Sequence, residues 1–226
     1  MDKYNYTYEN DDEYCYPNTN ILKNKLNITN DKDLYEAERE LVAYQTTNLV
    51  QKPIKGNFDF EHLKSIHECL FGKIYTWAGI PRKCNIAKTN LFCLAQYIDN
   101  YSKEVFDKVV KNDYFIKQDY NEKIESLAIL FADINALHPF REGNGRSQRE
   151  FIKGLALING VNLDFTKVME KEMIIASSES TNGNIKKLLA MFKKIASSIS
   201  KEEQLKYIDE YIKDKKIKDI LKSNVK

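Results

Sequence analysis

Residues 138–149 read His-Pro-Phe-Arg-Glu-Gly-Asn-Gly-Arg-Ser-Gln-Arg. An imidazole, a carboxylate, a Gly-Asn-Gly turn and three guanidinium groups therefore fall within one short run. Imidazole titrates near neutrality, so His138 can take a proton from an incoming hydroxyl. A lone carboxylate such as Glu142 suits Mg²⁺, which keeps several waters and leans on substrate phosphates. Gly143 and Gly145 leave backbone N–H groups open to a phosphate. Arg146 and Arg149 are three apart, so they share a helix face and can reach one polyphosphate. The chemistry within reach of these groups is movement of part of a nucleotide. Taken singly, each element has a plainer reading. His-Pro stops helices, Asn-Gly makes turns, and arginines at this spacing usually decorate a solvated helix face. Their concentration in one run argues for a site.

Two helices must position the run. Ile124 to Leu137 is apolar at helical spacing, with Leu127, Phe131 and Ile134 on one face and Leu130 and Leu137 beside them. Pro139 disfavours helical geometry at His138, which places the base where a buried helix ends. A second helix is predicted to start at Arg146 or Ser147 and to run through Phe151, Ile152 and Leu155. Its first N–H groups and partial positive charge would form an anion site. Further helices are predicted over Asp31–Leu49 (Leu34, Leu41 and Val42 inward), Phe60–Leu70 (Leu63, Ile66 and Leu70 inward), Leu94–Val110, Phe165–Ser177 and Asn184–Ser198. Glu202–Leu221 is predicted as one amphipathic helix that packs on its own domain through Leu205, Ile208, Ile212, Ile217 and Leu221. His62 and His67 fall on the second of these helices. They have no carboxylate- or cysteine-rich surroundings and are expected to be ordinary helix residues, not ligands. Trp77 to Phe92, with Gly79, Pro81, Asn85 and Asn90, reads as a short hairpin, with an inter-helix loop as the plainer alternative. Trp77 is expected to be a core anchor.

Composition bounds the rest. A net charge of +2 over 226 residues opposes a basic nucleic-acid binder. No apolar run is long enough to span a membrane. The start, MDKYNYTYENDDEY, is acidic and polar, unlike a secretory signal. Cys15, Cys69, Cys84 and Cys93 lack paired spacing, and His62, His67 and His138 are the three histidines, so no zinc site is expected. Scattered cysteines without a signal predict a reducing, cytoplasmic location. Tyr4, Tyr6, Tyr8, Tyr14 and Tyr16 offer hydroxyls for self-modification, although a mobile polar terminus is the plainer reading.

The run 138–149 satisfies HPFx(D/E)GNGRxxR at every specified position, and on these residues the sequence resembles the Fic family. YCYPNTNILKNKL near the start and YTWAGIPRKCNIAKTNLF at residues 75–92 also look like Fic segments, so the resemblance covers roughly residues 14–195. It implies an all-α fold, a Fic-type helical bundle with a short β-hairpin flap at 77–92 near the active-site loop. It also implies an N-terminal extension over 1–30, a Fic domain over 31–199 and a C-terminal amphipathic helix over 200–226. The implied activity is a protein adenylyltransferase, possessing ATP and Mg²⁺ as its requirements and a target protein as its partner. His138 would be the general base on a Tyr, Ser or Thr hydroxyl, and Glu142 would bind Mg²⁺. Gly143, Asn144 and Gly145 would cradle the α- and β-phosphates, Arg146 would neutralise the β-phosphate, and Arg149 would hold the γ-phosphate. Phe140 would pack inward and fix the loop. Ile86 and Lys88 of the flap would pair with an extended piece of the target.

The rivals are a Doc-like kinase, a transferase that uses UTP or GTP, and a non-catalytic interaction domain. Gly145 and Arg149 argue against the kinase, whose loop departs near the second glycine and lacks the second arginine. His138 and Glu142 argue against the binding domain. The inhibitory pattern of many Fic enzymes, (S/T)xxxE(G/N), is missing. Only Glu9-Asn10 and Glu142-Gly143 have the right dipeptide, Asn5 stands where the first would need Ser or Thr, and the second lies inside the active loop. A separate small antitoxin that supplies the glutamate is the favoured expectation. The alternative is an enzyme unrestrained, or restrained by the near-match at Glu9.

Overall fold

The computed structural model describes residues 7–8 by their backbone, and residues 13–87 and 91–225 in full. Helix α1 (Asp31–Gln51) opens on Asn30, whose side chain accepts from the N–H groups of Lys32 and Asp33. Such caps satisfy donors that a first turn otherwise leaves without partners. α1 buries Leu34, Val42, Leu49 and the carboxylate residue Glu38. α2 (Phe60–Phe71) is capped by Asp59 and buries Leu63, Ile66 and Leu70 together with His62 and His67. One 3₁₀ turn at Ala95–Tyr97 leads into α3 (Ile98–Lys111). α4 (Tyr120–Leu137) starts in a reciprocal capping box between Asp119 and Glu122.

α5 (Asn144–Ile158) begins two residues before the earliest predicted start, because Gly143 turns the chain at φ 82° and serves as its N-cap. α4 packs against α3 and α5, and α5 also packs against α2. Leu127, Phe151 and Leu155 are wholly buried between these elements. The Gln148 side chain donates to the Phe131 carbonyl, a buried cross-link between α4 and α5.

Three predicted helices are corrected by the structure. Phe165–Ser177 divides into a 3₁₀ turn at Phe165–Lys167 and α6 (Glu170–Thr181), because Asp164 caps the turn and Val168 is extended. Asn184–Ser198 shortens to α7 (Lys186–Ile195). The chain then extends as β4 (Ala196–Ser198) and pairs antiparallel with β3 (Val161–Leu163), Leu163 opposite Ala196. Glu202–Leu221 is two helices, α8 (Lys201–Tyr211) and α9 (Lys215–Ser223). Ile212 between them is extended and forms a parallel bridge to Gly56, and Asp214 caps α9. Ile208, Ile212 and Leu221 join the main core, so this segment packs on its own domain as expected.

The predicted hairpin is only partly formed from its own residues. β2 (Ile86–Ala87) pairs antiparallel with β1 (Thr7–Tyr8) from the chain start. Its return leg is a single bridge from Ala87 to Leu91. Residues 77–85 form turns and bends. Ile86 is 1% exposed and belongs with Tyr14, Cys84 and Phe92 to a second small core, against which Trp77 packs as an anchor. Tyr14 is thus a core residue whose hydroxyl accepts from Lys83 N–H, not an exposed acceptor for self-modification. Tyr4, Tyr6 and Lys88 lie outside the described residues.

Gly154, in the middle of α5, faces Tyr211 of α8, and a Cβ there would stand 2.5 Å from the ring. Gly154→Ala gains about 1 kcal/mol of helix propensity, but overpacking a filled core costs about 1–3 kcal/mol. The clash wins: a lower urea midpoint is expected, and an unchanged or raised midpoint would show that Tyr211 yields without cost.

Candidate active site

The loop joining α4 to α5 holds its shape through two left-handed residues. His138 is the C-cap of α4 at φ 44°, ψ 59°, and Gly143 stands at φ 82°. A Cβ at Gly143 would run into the Phe71 ring, so this position needs glycine on two counts. Asn144 fastens the loop from both sides. Its amide donates to Phe140 O at 2.7 Å, and its Oδ1 accepts from Phe140 N–H at 2.8 Å. That side chain is committed to the loop, which leaves the residue its backbone N–H for a ligand. Phe140 is wholly buried and stacks on His67 at 3.8 Å.

His67 is a post beneath the loop. Gly79 N–H donates to its Nδ1 at 2.8 Å, so the proton resides on Nε2, which donates to the Glu142 carbonyl at 2.9 Å. Burial pushes its pKa down to about 3 and the nearby Arg146 adds to the depression, against the Glu142 hydrogen bond. His67 is therefore neutral at any working pH. His62 has a similar task at the other end of α2, accepting from Phe58 N–H and meeting Ile54 O at 2.9 Å. Both histidines hold more than their own helix.

The His138 ring is nearly covered, at 6% exposure, and stacks on Phe92 at 3.7 Å. Its Nδ1 lies 3.3 Å from Asn135 O. A carbonyl can only accept, so Nδ1 carries the proton and the lone pair is on Nε2. That tautomer is the one a base requires.

The two arginines of α5 differ in charge balance. Arg146 meets Glu38 at 2.6 Å and Glu142 at 3.1 Å, and its guanidinium lies 4.7 Å over the Phe71 ring. Glu38 also accepts from the Tyr75 hydroxyl. Burial works against the Arg146 charge, but Glu38 and Glu142 outweigh it and hold its pKa above the ordinary value. Arg149 has no salt-bridge partner among the described residues. Burial and then repulsion from Arg146 depress its pKa, offset only in part by Glu150 and Glu170. No side chain caps the start of α5. First-turn N–H groups and an unneutralised guanidinium thus meet where an anion would be stabilised. Arg141, the third arginine of the run, is buried at 4% exposure against Cys15 and Tyr14 and belongs to the scaffold, not to a phosphate site.

The family model described as Fic/DOC family matches residues 57–156. The "Probable protein adenylyltransferase y4lH" of Sinorhizobium fredii is 32% identical over 187 residues, 82% of this chain and 96% of that protein. The chain belongs to the Fic/DOC family. A second relative, "Protein adenylyltransferase VbhT" of Bartonella schoenbuchensis, is 35% identical over 184 residues; the match takes in 81% of this chain and 38% of VbhT. The Fic/DOC fold is shared with BepC of Bartonella tribocorum, solved with bound AMPPNP, at TM-score 0.77 and 27% identity, over 83% of this chain and 98% of that one. It is shared also with the N-terminal Fic domain of a VirB-translocated effector of Bartonella quintana, solved with bound ADP, at TM-score 0.76 and 28% identity, over 82% of this chain and 95% of that one.

In this Fic/DOC protein the structure brings His138, Glu142, Gly143, Asn144, Gly145, Arg146 and Arg149 onto one loop and the first turns of one helix. Ile86 is set apart from them in role, since its side chain is buried in the small core and its backbone lies between β1 and the Leu91–Phe92 leg. Sequence reasoning did not single out Glu38, and it took His67 for an ordinary helix residue. A carboxylate on an otherwise inward-facing stripe of α1 was the signal for Glu38. Nothing in its neighbours marked His67.

The buried His67 gives stability a pH dependence. An unfolded histidine protonates near 6.5, whereas His67 resists protonation down to about 3. Between these values the unfolded chain binds more protons, so stability falls as pH drops below about 6.5, by about 1.4 kcal/mol per unit from this group. His62, also depressed by burial, adds in the same direction. Melting temperature is expected to decline from about pH 7 to pH 5. A flat profile would exclude a neutral buried His67.

Proposed function

We propose that this Fic/DOC protein transfers AMP from ATP to a hydroxyl side chain of a target protein and releases pyrophosphate. The observation that carries the reading is the contrast between Arg146, already paired, and Arg149, left with an unneutralised charge beside the α5 N-terminus. Such a site gains most from the terminal phosphate of a nucleotide. With the γ-phosphate held at Arg149 and the β-phosphate near Arg146, the α-phosphorus faces the loop and His138. The target oxygen attacks the α-phosphorus, His138 Nε2 accepts the hydroxyl proton, and the bond to the β-phosphate oxygen breaks. The protein's work is positioning and charge stabilisation. The names of the relatives, protein adenylyltransferases, support the same reaction.

Glu142 is the residue that would hold Mg²⁺. The donor set fits a cation carried on nucleotide phosphates, since a single carboxylate borders the nest and no group of three or more His, Cys, Asp or Glu that could hold a metal occurs among the described residues. Bound there, Mg²⁺ would neutralise phosphate charge. Asn144 and Gly145 would meet the phosphates through backbone N–H groups, and Gly143, whose N–H donates to Glu142 Oε1 at 2.8 Å, would join them when that carboxylate turns to the cation. Lys88 and Ile86 are proposed to line the target's approach, where an extended target segment would take the place that β1 holds beside β2.

Arg149 also suits a glutamate from another chain, which supports a separate antitoxin as the restraint on activity. We place the protein in the cytoplasm. Among the described residues no disulfide joins the cysteines, which suits a reducing compartment, and no helix is long and apolar enough to cross a membrane.

Purified protein, Mg²⁺, ATP labelled at the α- or the γ-position, and bacterial lysate test the reaction. Label is expected from the α-position alone. Transfer from the γ-position would make the protein a kinase, and transfer only from labelled UTP or GTP would change the donor. His138→Ala should lower transfer by about 10²–10⁴-fold with nucleotide affinity retained. Arg149→Ala should weaken ATP binding by about ten- to a hundredfold, the loss of a charged hydrogen bond, and weaken the grip of any inhibitor. ATP affinity unchanged by Arg149→Ala would remove this residue from the phosphate site.

A further inference from the structure

Arg82 lies outside the motif, and the roles above do not use it. It is 2% exposed, and no salt-bridge partner meets it among the described residues. Its guanidinium instead serves three carbonyls. Nε donates to His138 O at 2.8 Å, Nη1 to Cys84 O at 2.6 Å, and Nη2 to Cys93 O. Its backbone N–H donates to Pro139 O at 2.8 Å. A buried cation without a carboxylate is costly to keep, and burial depresses its pKa. The arrangement of acceptors shows what the cation secures. Cys84 and Cys93 bracket the hairpin. Inside that bracket Ala87 bridges to Leu91, Phe92 N–H donates to Ile86 O at 3.2 Å, and the Phe92 ring lies on the His138 ring. One flat fork therefore joins both legs of the hairpin to the carbonyl of the histidine.

We propose that Arg82 is a positioning residue that fastens the hairpin and the His138 backbone into one unit, so that a polypeptide seated along the hairpin is presented at a fixed place relative to the imidazole. The inference rests on the adenylyl-transfer reading for its effect on rate, but not for its effect on structure. Only arginine supplies donors in these divergent directions. A lysine keeps the charge as a single point and loses the fork. The phosphate nest has other supports, His67, Asn144 and Glu38, so the nucleotide side should be spared when Arg82 changes.

The test compares the wild-type chain with Arg82→Lys and Arg82→Gln in three measurements. Affinity for a non-hydrolysable ATP analogue is expected to stay within about twofold, while kcat for α-label transfer to protein falls by about a hundredfold and KM for the target rises, as a misplaced reactive group predicts. The pH–rate profile should shift on its acid limb, since His138 loses its fixed surroundings. Hydrogen exchange should show the amides of residues 84–87, 91–93, His138 and Phe140 losing protection together, with α5 unchanged. The inference is overturned if transfer and ATP affinity fall in proportion to the folded fraction. It is overturned equally if Arg82→Lys matches the wild type, or if the hairpin loosens while His138 and Phe140 keep their protection. Should the wild type transfer no α-label, adenylyl transfer itself fails, and the exchange measurement still decides whether Arg82 couples the two segments.

Discussion

A β-carbon in the left-handed region crowds its own backbone, at a cost of about 1–2 kcal/mol, and His138 is held there at φ 44° by everything around it. Its N–H still closes the last turn of α4 on Ile134 O, its carbonyl accepts from Arg82, and its ring lies flat on Phe92. The conformation turns the chain sharply out of a buried helix and delivers the imidazole at the rim of the next one. A second left-handed residue, Gly143, then turns the chain into α5. Much of the scaffold can be understood as support for these two turns. α2 supplies His67 under the loop and Phe71 beside it, and α1 supplies Glu38 to the first arginine.

The site does not attract anions by net charge. Arg146 and Arg149 are balanced in formal charge by Glu38 and Glu142, and the attraction comes from where the charges stand. Glu38 and Glu142 both lean on Arg146, leaving Arg149, half-buried and without a salt-bridge partner among the described residues, and the helix start as the positive end. A diffuse basic patch would take any polyanion. A paired arginine next to an unpaired one would distinguish positions along a phosphate chain, and under the proposed reaction that contrast would select the reacting phosphorus.

The chemistry was legible because it is concentrated: base, carboxylate, glycines and arginines occupy consecutive positions, and residue type alone limits what they can do. The supports were not. His67 reaches Glu142 across 75 residues and Arg82 reaches His138 across 56, distances over which a single sequence carries no register. The last helix misled for a different reason. Ile208 and Ile212 keep helical spacing across the break, so periodicity continued where the backbone did not. The stop is tertiary, since the chain leaves the helix at Ile212 to bridge Gly56. The β4 segment, Ala-Ser-Ser, has little strand preference of its own and is extended because Val161–Leu163 offers it an edge.

That bridge has a consequence for how the enzyme is made. Gly56 N–H donates to Tyr211 O, Lys213 N–H donates to Gly56 O, and Asp214 N–H donates to Asn57 Oδ1. Phe58, two residues on, stacks on Tyr211, and His62 packs beside it at the start of α2. The far end of that same helix carries the histidine that props the catalytic loop. During synthesis, the bridge that closes the entry to α2 cannot form until residues 211–214 have left the ribosome. The motif at 138–149 is translated well before its foundation is closed, so a growing chain carries the reactive groups before it has the finished machine.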